Sequence, residues 1–123
     1  MTIMDFSMIP LDKGASFSTY VARILVLVDQ SGLEYQLTPM GTIVEGDWDD
    51  LLALLSRCFQ DLQQEADRIS LQVKFDYRRG SAGRLRNKVL SVQTKAGRPL
   101  KTSFNNQYRI PLGVSGSSDQ YRL

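Results

Sequence analysis

Residues 33–39, LEYQLTP, alternate Leu33, Tyr35 and Leu37 against Glu34, Gln36 and Thr38, and a second short strand, MGTIVEG (40–46), follows with nothing between them. Alternation of period two is the signature of a half-buried strand. A parallel crossover needs a dozen or more connecting residues, so the two segments are antiparallel neighbours or one bent strand. That pair sits between two stretches of helical period, and this ordering narrows the fold sharply.

Upstream, Phe17, Val21, Ile24, Leu25 and Val28 follow helical spacing, with Ala22, Val26 and Leu27 widening the apolar surface. Ser16 or Ser18 is placed to cap this helix, which runs to about Ser31, and Gly32 stands where a C-terminal glycine belongs. Downstream, Asp47 with Asp50 resembles a capping box, and Trp48, Leu51, Leu52, Leu55, Phe59 and Leu62 form the stripe of a second helix over about 47–65. IMDFSMI (3–9) reads as a strand that ends at Pro10. RISLQVKFDY (68–77) is the cleanest strand, with Ile69, Leu71, Val73, Phe75 and Tyr77 on one side. The order is β-α-β-β-α-β, and right-handed crossovers put both helices on one face of a four-stranded antiparallel sheet. The fold class expected is α+β, a ferredoxin-like sandwich over 1–93.

Beyond it, YRRGSAGRLRNK (77–88) is basic, and 84–92 can form a short helix. Residues 94–123 turn polar and read as a C-terminal extension packed on its own or a neighbouring subunit through Leu100, Phe104, Tyr108, Ile110, Leu112 and Val114.

The chain has 123 residues, 42% hydrophobic and 23% charged, with net charge +2, which is ordinary for one globular domain and too small a charge to argue for nucleic acid. It has no His, which excludes a Ser-His-Asp triad, a Cys-His dyad and an HExxH zinc site. The lone Cys58 forms no internal disulfide, in keeping with a reducing, cytoplasmic setting. No basic segment precedes a long apolar run at the N-terminus, so no signal peptide is expected, and YVARILVLV is too short to span a membrane.

The sheet face away from the helices is expected to carry Asp5, Ser7 and Ile9, then Glu34, Gln36 and Thr38, then Ser70, Gln72 and Lys74. Strand three adds either Thr42 and Val44 or Ile43 and Glu45. Such a face is a plain wet sheet surface, or it packs on a second copy around a pocket of small polar groups.

The patterns F-S-x-x-P-L (6–11), S-x-S-x-Y-V (16–21) and S-G-L-x-Y-x-L-x-P-M-G-T-x-x-E-G (31–46) resemble the thiamine-binding protein family of ferredoxin-like domains, related to YkoF proteins. The resemblance spans roughly residues 1–92. It implies a non-catalytic protein, without cofactor, that forms dimers or dimers of dimers through sheet faces and binds thiamine or its hydroxymethylpyrimidine portion near a subunit interface. Thiamine carries a fixed cation and an aminopyrimidine, so a pocket needs a carboxylate, small hydroxyls and an apolar wall. Glu45 is the expected carboxylate and Thr42 a hydroxyl. Ser7, Thr38 and Met40 are further candidates, and Gly41 permits close backbone approach. Glu45→Gln is expected to weaken binding several-fold.

Two other functions share this architecture. Acylphosphatases need an Arg and an Asn that the loop PLDKGAS lacks. RNA-recognition modules stack bases on aromatics of the central strands, where Phe6 and Phe75 fall on the helix side. Arg78, Arg79, Arg84, Arg86 and Lys88 leave an alternative: a ligand-responsive regulatory protein with an anion- or nucleic-acid-contacting segment.

Overall fold

Alternation along β1 (Thr2–Pro10) decides the architecture, because every second residue is buried: Thr2, Met4, Phe6, Met8 and Pro10. This central strand pairs with β3 (Gly41–Gly46) on one side and β4 (Ile69–Tyr77) on the other, while β2 (Glu34–Thr38) lies outside β3. The computed structural model, which describes residues 1–80 and 83–102, thus has a four-stranded antiparallel sheet in the order β2-β3-β1-β4. α1 (Phe17–Gln30) and α2 (Trp48–Gln63) connect its halves, and α3 (Arg84–Ala96) follows β4. This is the expected βαββαβ ferredoxin-like order.

The register settles which side of β3 is open. Thr42 pairs with Phe6 and Val44 with Met4, and all four are buried toward the helices. Ile43 and Glu45 therefore share the opposite face with Asp5 and Ile3, their partners on β1.

The core joins Met4, Phe6, Met8 and Val44 of the sheet to Ile24 and Val28 of α1 and to Leu51, Leu54, Cys58 and Leu62 of α2. The buried stripes are rotated from those expected. On α1, Tyr20 and Leu27 flank Ile24 and Val28, whereas Phe17 is exposed. On α2, Leu54 and Cys58 are buried and Leu52 and Trp48 are half exposed. Both helices are apolar over more than one face, and periodicity alone cannot choose among faces that wide.

The helix ends differ in detail too. A 3₁₀ turn over Gly14–Ser16 runs straight into α1, which places Ser18 inside the first turn instead of at the cap. Asp47 is the N-cap of α2 by backbone conformation, and its carbonyl accepts the Leu51 N–H (3.0 Å), but its side chain makes no capping hydrogen bond. Asp49 and Asp50 still place negative charge in the first turn, where the helix dipole favours it. Gly32 closes α1 with φ +75, the left-handed conformation that glycine adopts without strain. Arg23 clamps the two helices together, bonding Glu65 (2.8 Å) and Asp61 (3.0 Å).

The chain divides into two units, Met1–Lys88 and the segment from Val89 onward. In the second, α3 ends at Gly97, whose N–H bonds the Gln93 carbonyl (3.0 Å), and Leu100 N–H donates to the Gln93 side chain (2.8 Å). Leu90, Val92 and Leu100 are exposed. The expected packing of Phe104, Tyr108, Ile110, Leu112 and Val114 falls outside the described residues.

Candidate functional site

The face of the sheet away from α1 and α2 carries Ile3, Asp5, Ser7 and Ile9 from β1, Ile43 and Glu45 from β3, and Glu34, Gln36 and Thr38 from β2. Ser70, Gln72, Lys74 and Asp76 come from β4. Among the described residues, none of the side chains on this face is aromatic, the feature on which base stacking relies. Its two ends are chemically different.

One end is acidic and closed. Glu34 and Glu45 are direct cross-strand partners on β2 and β3, an arrangement that like charges disfavour. Asp76 of β4 stands opposite Ile3 at the same end of the sheet. The first turn of α3 answers all three acids. Glu45 accepts the backbone N–H of Arg84, the first residue of the helix. The Arg84 guanidinium bonds the Asp76 carboxylate (2.7 Å) and its carbonyl (2.8 Å), and Arg86 approaches Glu34 at 4.0 Å. Only 5% of Glu45 remains exposed. A carboxylate at a helix N-terminus meets unpaired N–H groups and the positive end of the dipole, which compensates its burial.

Glu45 is therefore engaged by its own chain, and little of it is exposed. The same contacts give Arg84 and Arg86 intramolecular partners. Arg78, Arg79 and Lys88 remain exposed, with no ion pair among the described residues.

The other end is open. Asp5, Ser7, Gln72 and Lys74 line a shallow depression of about 200 Å³, walled on one side by Met40. Met40, at the β2–β3 turn, is 89% exposed. Thr38 builds that turn: its hydroxyl donates to the Gly41 carbonyl (2.8 Å) and accepts the N–H groups of Gly41 (3.1 Å) and Met40 (3.3 Å). One donor and two acceptor positions are all that a hydroxyl has, so Thr38 positions Met40 and has nothing left for a ligand.

Gly41 brings the turn against β1. A Cβ there would stand 2.9 Å from Asp5 Oδ1 and 3.0 Å from the Phe6 carbonyl oxygen. The close approach expected of Gly41 is thus present, and it is made to Asp5 and Phe6. Thr42 lies on the helix side, 5% exposed, and does not join Ser7 on the open face. Tyr35 also points to the helix side, and its hydroxyl donates to Asp29 (2.7 Å).

Of the six expected residues, Ser7 and Met40 line the depression, Gly41 and Thr38 shape it, and Thr42 and Glu45 lie elsewhere. The depression is also lined by Asp5, which is not among the six. Asp5 stands beside Ser7 in MDFSMIP, on the face that alternation already assigned to it. Its cross-strand partner is Lys74, yet the two charged groups make no ion pair. A wider, nearly flat hollow of about 400 Å³ lies beside Gln93, Thr94, Gly97, Arg98 and Pro99, where the Gln93 side chain accepts the Leu100 N–H and the Thr94 hydroxyl donates to the Leu90 carbonyl.

Among the described residues, no helix is long and apolar enough to cross a membrane, and no group of His, Cys, Asp and Glu is placed to hold a metal. Cys58 is buried, and burial pushes its thiol up to about 11, which makes it a poor nucleophile.

Comparison with known proteins agrees with this fold and names its family. UPF0045 protein MJ1052 of Methanocaldococcus jannaschii is 29% identical over 90 residues, covering 73% of this chain and 90% of its own. UPF0045 protein YqgV of Bacillus subtilis is 32% identical over 98 residues, covering 75% of this chain and 94% of its own. The crystal structure of MJ1052 superposes with a TM-score of 0.68 at 28% identity, covering 74% of this chain and 94% of that one. A domain of unknown function from Bacillus cereus gives 0.67 at 27% identity, covering 76% and 91%. Residues 4–93 match the thiamine-binding protein family, and this chain belongs to it.

Proposed function

We propose that this protein binds thiamine, or its aminopyrimidine portion, without turnover in the depression beside the β2–β3 turn. The observation that carries this reading is the convergence of Asp5, Ser7, Gln72 and exposed Met40 on one open patch, in a member of the thiamine-binding family. The Asp5 carboxylate suits the thiazolium cation or the exocyclic amine. Ser7 and Gln72 supply donors and acceptors for the pyrimidine nitrogens, and the Met40 thioether offers a polarizable wall to a flat ring. The depression is small and open beside the enclosed sites that small ligands usually occupy. A second subunit's open face laid over it supplies the missing wall, at the end of the sheet away from Glu45 and Arg84. The buried lone thiol fits a reducing, cytoplasmic setting.

The test is calorimetric titration with thiamine, hydroxymethylpyrimidine and thiamine phosphate in parallel, repeated on Asp5→Asn. Micromolar binding of at least one ligand is expected, weakened at least tenfold in the variant. No heat and no thermal stabilisation with any of the three overturns the reading. Unchanged affinity in Asp5→Asn removes the site from this depression.

A further inference from the structure

The net charge of +2 conceals an uneven split. Residues 1–76 carry five basic and twelve acidic side chains, a net charge of −7, whereas residues 77–123 carry ten basic and one acidic, a net charge of +9. No acid stands between Tyr77 and Ser118. An ordinary solvated surface mixes both signs, and a charge asymmetry between the parts of a chain points to a partner of opposite charge.

The structure shows that most of these cations are free. Among the described residues, the acids of the sheet answer only Arg84, through Asp76 (2.7 Å), and Arg86, through Glu34 (4.0 Å). Arg78, Arg79 and Lys88 belong to the first unit, and Lys95, Arg98 and Lys101 to the second. All six are exposed, and none has an ion pair among the described residues. Like charges so close along the chain repel one another, and a polyanion relieves that repulsion. We propose that residues 77–101 bind a single strand of RNA or DNA through its phosphates, a second binding function beside that of the depression at Met40.

Two observations choose a nucleic acid over an anionic lipid surface. Tyr77, 64% exposed, ends β4 directly before Arg78 and Arg79. The Tyr-Arg pair recurs in the sequence at Tyr108-Arg109 and Tyr121-Arg122. Proteins that hold single strands without sequence preference combine cations that track the backbone with aromatic rings on which bases stack. A helix that lies in a lipid surface needs one apolar face carrying Trp, Phe or Leu. α3 contains no aromatic residue. Its exposed Leu90 and Val92 are two positions apart, and residues so spaced do not share a helix face. A duplex keeps its bases stacked and withholds them from Tyr77, so the strand is a single one.

The test is fluorescence anisotropy of labelled oligouridylate and oligothymidylate, about 20 nucleotides long, titrated with the full chain at several salt concentrations. If each of the six cations neutralises one phosphate, the logarithm of affinity falls against that of salt with a slope of about −4, which is about 300-fold between 50 and 200 mM. Arg78→Gln, Arg79→Gln and Lys88→Gln together are expected to make the slope shallower by about 2 and to weaken binding at least tenfold at low salt. Their side chains hold nothing in the fold, so circular dichroism should not change. Tyr77→Leu is expected to weaken binding at least fivefold with the slope unaltered, because a stacked ring neutralises no phosphate. No anisotropy change with either oligonucleotide at 50 mM salt, or binding that the triple variant leaves as it was, overturns the proposal. A duplex of the same length bound more tightly than the single strands overturns the choice of strand. Retention on vesicles of equal parts phosphatidylserine and phosphatidylcholine, without binding to either oligonucleotide, gives the segment to a lipid surface instead.

Discussion

Replacing Glu45 separates a ligand-binding carboxylate from a structural one. Its oxygen accepts the Arg84 N–H at the start of α3 and is almost wholly buried. A hydrogen bond to a charged group contributes about 1.5–3 kcal/mol. Negative charge in a first helical turn adds about 0.3–1 kcal/mol. Against these, removing Glu45 relieves its repulsion with Glu34 across the strands, about 0.2–1 kcal/mol.

The net loss in Glu45→Ala is then about 2 kcal/mol, roughly 30-fold in the equilibrium between docked and released first turns, since 1.36 kcal/mol is a factor of ten. Glu45→Gln keeps an acceptor and loses the charge, so about half that effect is expected. Hydrogen exchange at the Asn87 and Lys88 amides, the first inside the helix, reads this directly. Protection there should fall by about 30-fold in Glu45→Ala. The thiamine affinity of Glu45→Gln should stay within about twofold of the parent. Unchanged exchange together with a tenfold loss of thiamine binding would refute the reasoning and return Glu45 to the ligand site.

Gly41→Ala sets a methyl group 3.0 Å from a backbone carbonyl oxygen and 2.9 Å from Asp5 Oδ1. Overpacking of this kind costs about 1–3 kcal/mol, to be read by urea denaturation, and displacement of Asp5 should weaken ligand binding in parallel. For Cys58, whose folded thiol is held at about 11, the unfolded value lies near 8.5. Between these the folded state keeps its proton and the unfolded state releases it. Stability fully present below about pH 8.5 is therefore lost as pH rises toward 11. Urea midpoints across this range should show the decline, and Cys58→Ala should flatten it apart from its constant packing loss. A thiol-reactive dye should label Cys58 at the unfolding rate, not at the rate of an exposed thiol.

Much of the fold is legible in short runs of residues because a strand's period is short. RISLQVKFDY and IMDFSMI each determine their own two faces, and the absence of a crossover between residues 33–39 and 40–46 leaves only antiparallel neighbours or one bent strand, of which the structure shows the first. Gly32 announces its own left-handed turn. Helix faces are less legible: α1 and α2 carry apolar residues around so much of their circumference that Leu54 and Cys58, instead of Leu52, are found in the core only once the sheet is beneath them.

The site divides along the same line. The residue types and their crowding near MDFSMIP and TPMGT belong to the sequence, as does the family resemblance. Whether Thr42 or Glu45 shares a face with Ser7 depends on the register of β3 against β1, which is a relation between residues 35 or more positions apart. That Thr38 has no bonding capacity left depends on a turn only three residues wide, but on its three-dimensional closure. Arg84 reaches Glu45 across 39 positions of sequence, and no local pattern records that meeting. Alternation determines which side of a strand a residue takes, because it is local geometry. What that side then meets is decided by chain folding, which joins distant residues through burial and charge.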